Sequence, residues 1–309
     1  MIALSVIICA HNPRLHFLQR VLQALREQGV PTQEWELLLV DNGSAEPLSE
    51  RVDLSWHPQG RHIREMALGL TQARVRGILE AKGELLVFVD DDNVLQSDYL
   101  AHARVIAAEH PELGVWSGNA RLEFEEPPPE WTRAYWPWLT AREVSQDVRL
   151  RPEVNAPNMP YGAGMCVRRQ VGLAYHDHLQ KSPIRQLLDR QGQCLISGGD
   201  TDIALTAGDV GMQVGLFARL EVKHLIPPER LTEEYLLRLR RGVMTSYWLL
   251  QFLRGKGLHR LPKGAKWWTK FIYDSARKRG RQRRFYVSEA LGKRDAWIRF
   301  AGLKTETPS

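Results

Sequence analysis

Leu85-Leu86-Val87-Phe88-Val89-Asp90-Asp91-Asp92-Asn93 is a buried strand that runs straight into three consecutive carboxylates. Neighbouring carboxylates repel, so gathering them where an apolar strand ends is costly unless a cation, or a metal carrying phosphates, occupies the place. Residues two apart in an extended segment point to the same side. Asp90 and Asp92 can therefore share one pocket while Asp91 faces away or caps the next helix. Hard divalent cations such as Mg²⁺ and Mn²⁺ suit these oxygens and keep positions for phosphate. Asn93 and Ser97 equally suit a turn with a helix cap.

Before this stretch, strand-length apolar runs alternate with helix-like ones: Leu4 to Ala10, Leu15 to Gln28, Glu36 to Val40, and Ile63 to Ala81. Continuous apolar strands in this alternation predict an α/β protein with a Rossmann-like, mostly parallel sheet flanked by helices. Three of the strands end in polar residues, at His11-Asn12, Asp41-Asn42 and Asp90-Asp91-Asp92. Open α/β sheets bind ligands at strand carboxyl ends, so one site can collect all three.

The composition, 43% hydrophobic and 25% charged over 309 residues, allows one large core or two modest ones. No window offers the roughly 20 uninterrupted apolar residues of a spanning helix. The apolar start has no basic leader and runs into His11-Asn12-Pro13, which predicts a first strand and a cytoplasmic protein. Cys9, Cys166 and Cys194 are widely spaced, against a disulfide framework or a thiolate zinc site. The net charge of +6 arises largely from the end of the chain, where Arg277-Lys278-Arg279, Arg281, Arg283 and Arg284 point to an anionic partner surface, lipid or polynucleotide.

The segment Glu123 to Trp138 is too proline-rich for a helix interior and reads as an aromatic loop or lid. Trp131, Tyr135, Trp136 and Trp138 suit stacking on sugar faces or packing against the sheet. Leu231 to Leu253 predicts a helix with Leu239, Val243, Tyr247 and Leu250 on one stripe. Beyond Gly255 the chain becomes basic, and Trp267-Trp268 with Lys263, Lys266 and Lys270 suits a membrane interface or a plain basic bundle.

Four further places carry polar chemistry. Asp41 at a strand end can accept from a nucleobase or ribose, while Asn42-Gly43-Ser44 also makes a turn. Arg74, on a helix before the acidic strand, suits phosphate, as it suits solvent. Gly198-Gly199-Asp200-Thr201-Asp202 lets backbone approach a ligand and offers a general base, or starts a helix with an Asp cap. His224 ends an apolar stretch and serves as ligand or structural histidine.

In this order, Ser5-Val6-Ile7-Ile8-Cys9-Ala10-His11-Asn12, Val40-Asp41-Asn42-Gly43-Ser44, Gly69-Leu70-Thr71-Gln72-Ala73-Arg74-Val75-Arg76-Gly77, Phe88-Val89-Asp90-Asp91-Asp92, Gly162-Ala163-Gly164-Met165-Cys166-Val167-Arg168-Arg169 and Gly198-Gly199-Asp200-Thr201-Asp202 resemble the family 2 glycosyltransferases of the GT-A fold. Two positions depart from that family's pattern: Val75 stands where an Asn is common, and Gly199 where many members carry Glu. The resemblance implies an inverting transfer of sugar from a nucleotide-diphosphate sugar, of UDP or dTDP type, to a hydroxyl of a polysaccharide, glycolipid or protein-linked glycan. It implies that Asp41 holds the base, with Ala10, His11 and Asn12 bordering the nucleoside. Asp90 and Asp91 then meet ribose or sugar, Arg74 the diphosphate, and Asp92 with His224 a divalent metal, Mn²⁺ or Mg²⁺. Asp200 would take the acceptor proton, with Asp202 as competitor or support, and Trp131, Trp136, Trp138, Gly162 and Gly164 would lie on the acceptor side.

The expected division is a GT-A domain over 1–230, its nucleotide-binding half about 1–120 and acceptor half about 121–230, followed by a basic helical region over 231–309. Peripheral membrane contact through that region, at the inner membrane face, accompanies this reading. Two rival functions are an inactive nucleotide-binding scaffold and a basic polyanion-binding protein. No RNP or helix-turn-helix signature supports specific nucleic-acid binding.

Overall fold

The computed structural model describes residues 2–154, 156, 158–188, 190, 195–256 and 264–305. Cys194 and Lys263, and the side chain of Lys266, lie outside the described residues. Strands β1 (Leu4–Ala10) and β2 (Trp35–Asp41) are buried at every position, as strands covered on both faces must be. Between them α1 (Leu15–Arg26) buries Phe17, Leu18, Val21, Leu22 and Leu25, the stripe of a helix packed on a sheet. The central strand β4 (Leu85–Asp90) lies parallel to β1 on the side opposite β2.

One expectation is corrected between β2 and β4. Ile63 to Ala81 is not one helix-like stretch: Gly60–Arg64 is an edge strand, β3, parallel to β2, and the helix α2 runs only from Leu70 to Glu80. An edge strand has one neighbour, so β3 keeps polar residues and buries only Ile63, which hides it from a search for apolar runs. The helix starts after Gly69, whose φ of 137° suits glycine alone.

The remaining elements are β5 (Asn93–Leu95), α3 (Tyr99–Glu109), β6 (Leu113–Phe124), β7 (Val148–Leu150), β8 (Met165–Arg168), α4 (Arg169–Gln180), α5 (Pro183–Gln186), α6 (Gly199–Asp209) and β9 (Gln213–Ile226). The sheet order is β3-β2-β1-β4-β8-β6-β9-β5, with β7 on β9. The β3 to β4 half is parallel, while β8 runs antiparallel to both β4 and β6. Cys9 and Cys166 are buried thiols within it.

The proline-rich aromatic segment is a second correction. Instead of an irregular loop, Glu130–Leu139 winds into 3₁₀ turns that accommodate Pro137. Its rings hold one another: Trp131 meets Tyr135, Tyr135 meets Trp138, and Trp136 lies 4.9 Å from Phe124 between ring centroids.

The C-terminal helices are α7 (Glu233–Leu253), α8 (Gly264–Ala276) and α9 (Gly280–Thr305). Thr232 caps α7 by accepting from the Tyr235 N–H, and Glu233 and Glu234 complement the dipole in its first turn. The buried stripe of α7 runs through Leu236, Leu239, Gly242, Ser246, Leu249 and Leu250, so Val243 and Tyr247 sit beside it rather than on it. Small residues stand in it where residues 195–198 cross α7: a Cβ on Gly242 would stand 2.3 Å from the Leu195 carbonyl oxygen, and the Ser197 N–H donates to Ser246 Oγ at 2.9 Å. The backbone of α9 approaches α7 on the adjoining side. A Cβ on Gly292 would stand 2.5 Å from the Arg241 carbonyl oxygen.

Two compact units divide the chain, one of Met1–Asp177 with Asp200–Pro227, the other of His178–Gly199 with Pro228–Ser309. The first holds the sheet and every candidate site residue.

Candidate active site

Strand register assembles the first layer. Ala10 is paired with Asp41 on one side, and its neighbour Cys9 with Asp90 on the other, so three strand ends open on one edge. Beyond β1 the chain turns at Asn12, a non-glycine residue with φ of 47°. Hydrogen bonds hold that turn: the Asn12 N–H donates to Ser44 Oγ at 2.9 Å, and the Ala45 N–H donates to Asn12 Oδ1 at 2.9 Å. His11 Nδ1 lies 2.7 Å from the Asn42 carbonyl.

Asp41 is buried, with Oδ1 accepting from the Ser44 N–H at 2.9 Å and Oδ2 from the Leu48 N–H at 3.0 Å and from Arg64. Burial by itself would raise its pKa. The hydrogen bonds from Leu48, Ser44 and Arg64 outweigh burial and hold it below its ordinary value. A carboxyl with a depressed folded-state pKa adds stability that is present above the unfolded value and lost as pH falls through the folded one. Asp41→Asn is therefore expected to flatten the acid side of a urea-denaturation stability profile and to leave its alkaline side unchanged in slope. An unchanged acid slope would show that this carboxylate carries no such linkage.

Arg64 and Asn42 also belong to this candidate site, where the sequence did not lead one to expect them. Arg64 stands opposite Asp41 in the β2–β3 register, a relation invisible once Ile63 to Ala81 is taken as helical. Asn42 pins the segment leading to α2 by donating to the carbonyls of Glu65 and Ala67 and accepting from the Gly69 N–H. Reading Gly60–Arg64 as an edge strand was the signal that could have found Arg64.

A second cluster forms over β4. Arg74 is buried to 5% exposure, and its guanidinium lies 3.7 Å from Asp90 Oδ1. Gly162 closes the same place: its N–H donates to Asp200 Oδ2 at 2.9 Å, and a Cβ there would stand 2.6 Å from the Arg74 guanidinium and 3.4 Å from Asp200 Oδ2. Asp200 lies in the first turn of α6, half-buried, with Oδ1 accepting from the Thr201 N–H at 2.7 Å. Arg74, Asp90, Gly162 and Asp200 thus face one space. Asp202 is wholly buried, its carbonyl accepting from Thr206 Oγ1.

The third cluster depends on β5. Asn93 pairs with His224 across the β5–β9 register, which sets the preceding Asp92 beside the imidazole. His224 Nε2 lies 3.4 Å from Asp92 Oδ2, and both residues are buried. His224 Nδ1 lies 2.9 Å from the Leu139 carbonyl and 3.0 Å from Thr140 Oγ1. A carbonyl only accepts, so Nδ1 carries the proton and the ring is oriented with Nε2 toward Asp92. An imidazole lone pair facing a carboxylate needs a cation between them, a proton or a metal ion. Asn93 Nδ2 donates to the other Asp92 oxygen at 2.9 Å and fixes the carboxylate plane. Thr140, a β-branched residue with φ of 66°, is the other position missed, and it has no signature in sequence. Asp91 lies half-buried in the turn between β4 and β5.

Among the described residues no group of three or more His, Cys, Asp and Glu side chains converges as a metal site. Asp92 and His224 nevertheless fit a divalent ion as a pair of O and N donors, with the other positions left to diphosphate and water. Gly164, expected on the acceptor side, turns at φ of 65° with its carbonyl accepting from Tyr99 Oη, and packs against Val222. Trp131, Trp136 and Trp138 are half-buried in the 3₁₀ segment that delivers Leu139 and Thr140 to His224.

A mostly parallel sheet with an acidic strand end, helices on both faces and a histidine returned by a later strand defines the GT-A class of folds. The chain belongs to glycosyl transferase family 2, whose model matches residues 5–167. Asp200 and His224 lie beyond the matched residues. EpsH of Bacillus subtilis (strain 168), described as a glycosyltransferase, is 26% identical over 126 residues, which is 40% of this chain and 35% of EpsH. S. aureus TarS superposes with a TM-score of 0.51 at 15% identity, over 82% of this chain and 40% of TarS. The mannosyltransferase PcManGT from Pyrobaculum calidifontis, in complex with GDP-Man and Mn²⁺, superposes with a TM-score of 0.55 at 17% identity, over 99% of this chain and 76% of that one. The chain thus spans well under two thirds of the length of EpsH or TarS.

Proposed function

We propose that this protein is an inverting, metal-dependent glycosyltransferase that moves a sugar from a nucleotide-diphosphate sugar to a hydroxyl of a polysaccharide, glycolipid or protein-linked glycan. The observation that carries this reading is the convergence of Arg74, Asp90, Gly162 and Asp200 on one space, with Asp92 of the same acidic strand end paired to His224 of β9. The reading places the enzyme in the cytoplasm, with peripheral contact at the inner membrane face. Among the described residues no helix is long and apolar enough to cross a membrane.

In this mechanism Asp41, with Ala10, His11 and Asn12, borders the nucleoside of a UDP- or dTDP-sugar, and Asp90 and Asp91 meet ribose or sugar. TarS has been described with UDP-GlcNAc and PcManGT with GDP-Man, so the fold accepts more than one base. Asp200 takes the proton of the acceptor hydroxyl as its oxygen bonds to the anomeric carbon and the bond to the diphosphate breaks on the opposite face. Arg74 balances charge as the diphosphate leaves. A divalent ion held by Asp92 and His224 would supply Lewis-acid stabilisation of that leaving group. Asp202, buried in the same first turn of α6, supports the helix terminus.

The test is thermal unfolding of the purified protein with Mn²⁺ or Mg²⁺ and a panel of UDP-, dTDP- and GDP-sugars. A metal-dependent rise of about 4 °C or more for one nucleotide class supports the reading and names the base. No rise with any donor would overturn it in favour of the basic polyanion-binding reading.

A further inference from the structure

Helix α8 is apolar on two sides. Its inner stripe packs on α9, where Phe271 stacks with Tyr286 at 6.0 Å between ring centroids. Its outer side carries Trp268, Ile272 and Tyr273 at 46%, 62% and 60% exposure. Single exposed apolar residues are ordinary, but three on one side of a 13-residue helix make a patch. Lys270 and Asp274 give the helix a polar flank as well, so the exposed apolar side chains lie beside charge.

Charge indicates what covers it. Residues 228–309 hold 20 Lys and Arg against 7 Asp and Glu, a net +13, so with +6 for the whole chain residues 1–227 are net −7. Lys270, Arg277, Lys278 and Arg279 border the patch in sequence. Beside it, α7 and α9 enclose a groove of about 600 Å³ lined by the apolar Leu237, Val287 and Leu291, by Glu234, and by Arg238, Arg241, Arg283 and Arg284, of which Arg241 pairs with Asp295 and Arg284 with Glu233. Arg283 Nε also donates to Ser275 Oγ of α8 at 3.2 Å, which joins groove and helix. Cations around aliphatic and aromatic side chains match a surface with phosphates above hydrocarbon. A polynucleotide would use the arginines, yet it offers nothing that buries Ile272.

We propose that the outer face of α8 and the adjoining arginine-lined groove dock onto an anionic lipid bilayer, with Trp268, Ile272 and Tyr273 entering the headgroup boundary. Arg238 and Arg283 then take lipid phosphates. This surface rests on the transferase reading only for its purpose, which is to hold the enzyme where lipid-linked acceptors lie.

Co-sedimentation of the full chain with vesicles tests it. Phosphatidylcholine vesicles containing phosphatidylglycerol are expected to bind at least about tenfold more protein than phosphatidylcholine alone, with binding reduced by salt. Trp268→Ser with Ile272→Ser is expected to weaken that binding about tenfold while the donor-induced thermal rise is retained. Arg238→Ser is expected to weaken it less, and only at low salt. Failure to bind the anionic vesicles, with the donor response intact, overturns the docking surface and leaves the transferase reading standing. Binding to single-stranded RNA as tight as to the vesicles, and unaffected by the Trp268 and Ile272 changes, overturns it in favour of a polyanion site. Vesicle binding without any donor response supports the surface and removes the transferase reading.

Discussion

Asp200→Asn lowers turnover about a thousandfold, the loss expected when a general base is replaced by a group of the same shape that cannot take a proton. Oδ1 of the Asn can still accept from a backbone N–H, so the contacts with Gly162 and Thr201 need not be lost together. Donor-induced stabilisation should therefore persist and thermal stability should change little. The measurement is kcat and KM for a donor found by the panel, alongside the thermal rise with that donor. Asp202→Asn is the informative partner: Asp202 is fully buried, so its replacement should lower stability more than it lowers kcat in the surviving folded protein. Retained turnover in Asp200→Asn, or a thousandfold loss confined to Asp202→Asn, would transfer the base to Asp202 and contradict the assignment.

The second large effect is at Asp92. Asp92→Ala removes one member of a buried pair whose two atoms stand 3.4 Å apart, and leaves His224 held by Leu139 and Thr140 with no carboxylate before it. The metal-dependent part of the donor stabilisation is expected to vanish, and turnover to fall about a thousandfold or more, since an ion held there would supply Lewis-acid stabilisation of the leaving diphosphate. The apoprotein itself should unfold within a few degrees of the original, because His224 keeps its contacts with the Leu139 carbonyl and Thr140 Oγ1. Titration with Mn²⁺ in the presence of donor, followed by thermal unfolding, reads the effect directly. A metal response of unchanged size in Asp92→Ala would place the ion elsewhere and remove the physical basis for the Asp92–His224 pair as its holder.

Much of this site was legible because its residues sit where strands end. The runs through Ile8, Val40 and Val89 are apolar without interruption, so both the parallel sheet and the position of Asp41 and Asp90 at its carboxyl edge follow from local pattern alone. The exceptions follow equally from physics. An edge strand need not be apolar, so local pattern does not separate β3 from the helix that follows, and it hides Arg64, which meets Asp41 only across that edge. The 3₁₀ turns of Glu130–Leu139 are stabilised by ring contacts between residues of the segment and with Phe124, which proline content does not announce.

By itself, then, the chain's order of apolar and polar residues determined an α/β sheet and its acidic strand end, and its resemblance to the family 2 glycosyltransferases implied the candidate roles of Asp90, Asp92, Asp200 and His224. Only the tertiary structure decided which of them share a space. The pairing of Asn93 with His224, the approach of Gly162 to Arg74 and Asp200, and the capture of the imidazole by Leu139 and Thr140 join residues 38 to 131 positions apart in sequence. Such contacts are set by strand register and close packing across the whole domain, and no local pattern encodes them.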